Sequence, residues 1–188
     1  MTPLTIAIFA IFIVLVVLGI GIMSVKSGSV KLKRLFLAIT AVGVVLMLIL
    51  FGIFRYFRYQ EELPAHSLGF YKEKHVYTHG EFQDYTDFGV YTYKKVKLEN
   101  NPYFSKITSG DLREIGQYID NYEEWVRLFG DNDPEDKLVL NYTFDRSVLD
   151  TNDYFYLEAD NEHNMFGNYD LWILDSQTLK LYYFHHNI

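Results

Sequence analysis

Two unbroken apolar runs, Leu4 to Met23 and Leu35 to Phe54, lead the chain, and beyond Tyr71 the pattern becomes short alternations around one helical stripe. Each run is 20 residues long and holds no Asp, Glu, Lys, Arg or His. At ~1.5 Å per residue such a helix covers roughly 30 Å, the hydrocarbon thickness of a bilayer. Lipid offers no partner to backbone N–H and C=O groups, so helices are expected even through the β-branched Ile11 to Val17. A helix packed on the surface of a globular core keeps a polar face, and neither run has one, which disfavours a pair of core helices. A cleaved signal peptide starts with basic residues and ends at a small-residue cleavage site. Here Met1 to Ile8 carries no Lys or Arg, and Ile22, Met23, Ser24 and Val25 follow Gly21. The pattern therefore predicts a hairpin of two membrane-spanning helices.

The loop between the runs, Ser24 to Arg34, contains Lys26, Lys31, Lys33 and Arg34 and no acid. Short Lys- and Arg-rich loops stay on the cytoplasmic side, which places both termini, and all residues after Tyr59, outside the cell membrane. Arg55 and Arg58 beyond the second run oppose this but are outnumbered. Without ionisable residues in either run, the hairpin reads as an anchor and not an ion or proton pathway. Small residues at Gly19, Gly21, Ala38, Ala41 and Gly43 would allow close helix–helix approach.

Residues 60–70, with Pro64 and Gly69, read as a linker or an entry strand. Tyr71 to Glu81 alternates as a strand. Phe88 to Leu98 does so more clearly, with Phe88, Val90, Val96 and Leu98 on one face and Tyr91, Tyr93, Lys95 and Lys97 on the other. Asn100, Asn101 and Pro102 then break the pattern. A helix follows, capped at Ser109 or Asp111 with Glu114 in capping-box spacing, and with Leu112, Ile115, Ile119, Tyr122, Val126 and Phe129 along one stripe. Gly130 is expected to end it. Past the polar turn Asp131 to Asp136, strands are predicted over Leu138 to Phe144, Asp153 to Ala159, Tyr169 to Leu174 and Leu179 to Phe184. Asp175 to Thr178 forms the hairpin loop between the last two. One helix among five or six meandering strands defines an α+β domain over 60–188, an antiparallel sheet packed on its main helix.

Charge divides at the same point. Residues 1–60 hold six Lys or Arg and no acid, whereas residues 61–188 hold eleven basic and twenty-four acidic residues. So acidic a domain excludes nucleic acid, which needs a basic footprint, and suits either a solvated surface or a basic partner. The absence of cysteine excludes disulfides, thiol catalysis and thiolate metal sites. Richness in Tyr, Asn, Lys and Asp is the composition expected of an AT-rich Gram-positive bacterium.

Candidate chemistry is sparse. Asp131, Asp133 and Glu135 open like a calcium loop, but the required Gly and Glu positions hold Asp136 and Tyr142, and Pro134 interrupts. His75 and His79 are four apart in a segment that alternates as a strand, which separates them along the chain instead of converging them on a metal. His163 lies near Asp160 and Glu162 in a loop, and His185 and His186 near the C-terminus. Ser67, Ser105, Ser109, Ser147 and Ser176 sit in linkers or turns without a recognisable His partner. Asn141, Tyr142 and Thr143 form a glycosylation sequon within an expected strand. No catalytic, cofactor or metal residues are assigned.

The strongest remaining signal is aromatic, since residues 61–188 contain 14 Tyr, 9 Phe and 2 Trp. Tyr and Trp bury large area at low entropic cost and concentrate at recognition surfaces. Tyr91, Tyr93, Tyr154, Tyr156, Trp172, Tyr182 and Phe184, with Asp160 and Glu162, form the expected protein-binding surface. The competing expectation is a second sheet face covered by the 71–81 region. Together these features point to a membrane-anchored, non-enzymatic domain that binds a protein, such as an immunity or protective factor that intercepts a secreted toxin. The alternatives are an envelope enzyme or ligand sensor using His163 and Asp160, and a small accessory subunit of a membrane complex.

Overall fold

The computed structural model describes residues 21, 26, 30–81, 84–160 and 167–187. The chain divides into two compact units, Met1–Glu61 and Glu62–Ile188. In the first, helix α1 runs from Val30 to Glu61. It is long and apolar enough to cross a membrane and is the single such helix among the described residues, where a pair was expected. The earlier apolar run lies outside the described residues except at Gly21, and the basic loop except at Lys26 and from Val30 onward. Lys31, Lys33 and Arg34, expected in a loop, lie within α1. Nothing in Lys or Arg opposes helix formation, and helical propensity carries the helix through them.

The second unit is α+β. Its elements are α2 (Leu63–Ser67), β1 (Tyr71–Glu81), β2 (Asp84–Tyr93), β3 (Ser105–Lys106), α3 (Asp111–Asn132), α4 (Lys137–Asn141), a single 3-10 turn (Arg146–Val148), β4 (Tyr154–Asp160), β5 (Asn168–Asp175) and β6 (Lys180–His186). The strands form one antiparallel sheet in the order β1-β2-β6-β5-β4-β3. β6 thus joins the β1–β2 hairpin to the β5–β4–β3 half.

Side chains alternate across the sheet, and both faces are covered. One face carries Phe88, Leu171, Ile173, Tyr182 and Phe184 against Ile115, Tyr118, Ile119 and Tyr122 of α3 and Leu138 of α4. The other carries Tyr91, Tyr93, Trp172, Leu174, Leu181 and Tyr183 against Ala65, Leu68 and Phe104. The cover of this second face is therefore α2 with the 94–104 loop, while the 71–81 segment is a strand of the sheet itself. Tyr93 Oη donates to the Ala65 carbonyl at 2.8 Å, and Lys97 N–H donates to the Leu68 carbonyl at 2.9 Å, fixing both cover segments.

Local chemistry explains where the elements depart from the sequence pattern. α2 forms where a linker or an entry strand was expected, because Pro64 suits the first turn of a helix and Ala65 and Leu68 bury beneath it. β2 starts at Asp84 and stops at Tyr93, so Val96 and Leu98 join Tyr91 and Tyr93 on the second face and not Phe88. α3 continues two residues beyond Gly130, whose value lies in close approach. A Cβ there would stand 3.2 Å from Val139 Cγ1 of α4.

Residues 138–144 are not a strand. Asp136 accepts from the amides of Leu138 and Val139 at 2.8 and 3.2 Å, an N-cap that starts α4 and turns Leu140 outward. The sequon residue Asn141 closes that helix and donates to the Lys137 carbonyl at 2.7 Å. The β5–β6 loop is Ser176–Leu179, held by Asp175, which accepts from the amides of Gln177 and Thr178.

Candidate functional site

The nine expected surface residues separate sharply. Tyr91, Tyr93, Trp172, Tyr182 and Phe184 are core, none more than 7% exposed, so they present nothing to a partner. They also divide between the two faces, with Tyr182 and Phe184 under α3 and the others opposite. Tyr154 and Tyr156 are half-buried, and Asp160 is exposed. Tyr156 packs edge-on to Tyr103 at 5.3 Å and donates its hydroxyl to Glu158 at 2.8 Å. Glu162 and His163 lie outside the described residues. Aromatic content here reports a core built on both sides of a sheet, which composition alone does not separate from a binding face.

The two histidines near the C-terminus, His185 and His186, are part of the central strand β6. His185 Nδ1 lies 2.7 Å from Asp170 Oδ1, and Tyr183 Oη donates to the same oxygen at 2.8 Å. Register places Asp87, His185, Asp170 and Glu158 side by side across four strands. Such a carboxylate-oriented imidazole has the geometry of a general base. Its Nε2, however, is buried and meets no hydrogen-bonding group among the described residues. The Tyr85 ring at 4.5 Å helps close that side. The His185–Asp170 contact links β6 to β5.

His186 faces the opposite way. It meets Thr86 Oγ1 at 2.9 Å and stacks near Trp125, and burial holds its pKa down to about 4, with His185 adding to the effect. His79 of β1 stacks on Phe129 at 3.7 Å and lies 2.9 Å from Asp136 Oδ2, whereas His75 pairs with Glu73 in the open. The two are therefore structurally separate, as strand spacing requires. Among the described residues no group of three His, Asp or Glu is placed to hold a metal ion. Asp133 Oδ1 and Asp136 Oδ1 accept from backbone amides of their own turn, and Asp136 Oδ2 meets His79.

Two surfaces remain. One is the outer side of α3 and the following turn, where Glu114, Asp120, Glu124, Asp131, Asp133 and Glu135 are exposed. Arg146 bridges Asp120 and Glu123 at 2.6 and 2.7 Å, and Arg127 pairs with Asp131, which leaves the ridge acidic. The other is a groove of about 930 Å³ between residues 68–72 and 94–99. Lys72, Lys94, Lys95 and Lys97 surround it, and Phe70 stands fully exposed at its rim. Sequence reading missed this groove because its two walls are more than twenty residues apart. The available signal was the Lys94, Lys95, Lys97 cluster in an otherwise acidic domain. Comparison with family models, curated proteins and solved structures finds no match to this chain.

Proposed function

We propose that this protein is a membrane-anchored binding protein that presents its α+β domain to a protein partner, without catalysing a reaction. The observation that carries this reading is the segregation of charge. The exposed side of α3 and its following turn gather carboxylates, while four of the domain's cations surround one groove. A partner of opposite charge is steered to such a ridge and held in register by it.

The anchor is proposed as a helical hairpin with the domain outside the cell membrane. The proximity of Gly21 to α1 supports it, since a Cβ there would stand 2.8 Å from the Phe36 ring. Interception of a basic secreted toxin by an immunity or protective factor is the form of this function that best suits an acidic ridge on a short anchor.

Because the chain has no cysteine, single cysteines test both parts. With Cys at Ser27 or Ser176 in intact cells, an impermeant maleimide should label only the second, and labelling of the first alone would put the domain inside. A photo-crosslinker on Cys at Glu124 should then yield one discrete protein adduct. That adduct should weaken in salt and with Glu114→Lys and Glu135→Lys. An adduct pattern identical to that from Cys at the exposed Asp84 would remove the ridge as a binding surface.

A further inference from the structure

The lysine-lined groove combines features that the partner-binding reading does not use. Leu68, Val96 and Leu98 supply an apolar floor, and Gly69, at φ 116°, makes the turn that throws Phe70 outward to complete exposure. Both walls are fixed, one through the Lys97–Leu68 backbone hydrogen bond and the other through the packing of α2. The aromatic is therefore displayed by built backbone and not by a loose loop. Lys72, Lys94, Lys95 and Lys97 are exposed, and none takes part in an ion pair among the described residues; Lys74 alone of this group is paired, with Glu62. Glu99 is the single acid of the groove.

An exposed aromatic ringed by exposed lysines over an apolar floor is the composition of a surface that lies at a membrane interface. There the ring sits at the headgroup–acyl boundary and the ammonium groups reach lipid phosphates. A site built for a free anion would enclose its donors, whereas these point to open solvent. The chain between Glu61, the last residue of α1, and Phe70 is short, so the groove works at high effective concentration beside any bilayer that α1 crosses. Polybasic segments next to a membrane helix bind anionic lipid for the same reason.

We propose that this groove is a lipid-contact surface, with Phe70 entering an anionic bilayer and Lys72, Lys94, Lys95 and Lys97 pairing with its phosphates. The groove lies on the sheet face that Leu68 and Val96 cover and the ridge on the α3 face, so lipid held at the groove is kept from the like-charged ridge. The contact is independent of the identity of any protein partner and of the side of the bilayer on which the domain lies.

The test uses the full chain reconstituted in vesicles of phosphatidylcholine alone or with phosphatidylglycerol. An environment-sensitive fluorophore is placed on Cys at Phe70 or, as control, at the exposed Asp84 at the other end of β2. Lipid-borne spin-label quenchers should quench the label at position 70 several-fold more strongly in the anionic vesicles than in the neutral ones. Salt should reduce the difference, and the Lys94→Glu, Lys95→Glu, Lys97→Glu variant should abolish it while keeping the wild-type circular dichroism. The label at position 84 should not respond. Equal quenching in both lipids, or a label at 70 that stays in water in both, overturns the proposal. If vesicles leave the label in water but soluble polyglutamate shields it, the groove is a site for acidic protein and the lipid assignment fails.

Discussion

The imidazole of His79, on the outer strand β1, sits 2.9 Å from the carboxylate of Asp136, the residue that caps α4. One side chain thus starts a helix and closes the sheet's free edge against it. Burial pushes the Asp136 carboxyl up, but hydrogen bonds from His79 and from the Val139 and Leu138 amides outweigh it and leave the pKa below the ordinary value. Asp136→Ala removes the cap and should cost about 1 kcal/mol or somewhat more in urea unfolding, with Asp136→Asn milder. Because the folded carboxyl is the stronger acid, its contribution is complete above the unfolded pKa near 4. It is lost as pH falls through the folded value. The Asp136→Ala protein should lack that acid-limb loss.

His186 gives a second, separate dependence of stability on pH. Its folded pKa is about 4 against an ordinary 6.5, so between those values the unfolded chain takes up a proton that the folded one refuses. Stability from this group is complete above pH 6.5 and declines as pH falls toward 4. His186→Leu should flatten that part of the profile in denaturant titrations. An unchanged slope would show that another group carries it.

Trp172 is a fully buried ring stacked on Tyr183 at 3.9 Å, with an indole N–H that meets no acceptor among the described residues. Trp172→Phe keeps most of the packing and removes an unsatisfied donor, so its cost should stay below about 1.5 kcal/mol. Trp172→Ala should cost about 3–5 kcal/mol. Chemical unfolding of the pair measures the ratio; comparable losses would mean the indole N–H has a role that the packing does not show.

Arg146 forms the most connected ion-pair cluster among the described residues, yet its partners are open to water. Arg146→Ala should change stability by no more than about 1 kcal/mol, and salt should shrink that difference. A larger, salt-insensitive loss would point instead to packing of its aliphatic stem.

The α+β class, β1, most of α3 and the β5–β6 hairpin were legible because β1 alternates in side-chain character, α3 carries an apolar stripe at helical spacing, and Asp175 opens the turn before β6. α4 was misread because Leu138, Leu140, Tyr142 and Phe144 mimic a strand, and Asp136's cap outweighs that alternation. The place of β6 could not be read at all, since no local signal says that a strand ending in two histidines lies between β2 and β5. The same gap hid the His185–Asp170 pair, whose partners meet only through register, and the groove, whose walls meet through one backbone hydrogen bond. Aromatic richness was visible but ambiguous, because a sheet buried on both sides and a sheet that binds a partner use the same residues.

The strand order has a consequence for biosynthesis. Thr86 waits for His186, one hundred positions later, before β2 acquires its inner neighbour. The β1–β2 hairpin therefore emerges with one edge unpaired and stays so until nearly all the rest of the domain has been made. Contacts this distant in sequence form slowly, and an open edge invites pairing with other chains meanwhile. Folding of this domain is thus a late, nearly all-at-once event, and shielding the nascent hairpin should raise its yield more than stabilising the finished sheet.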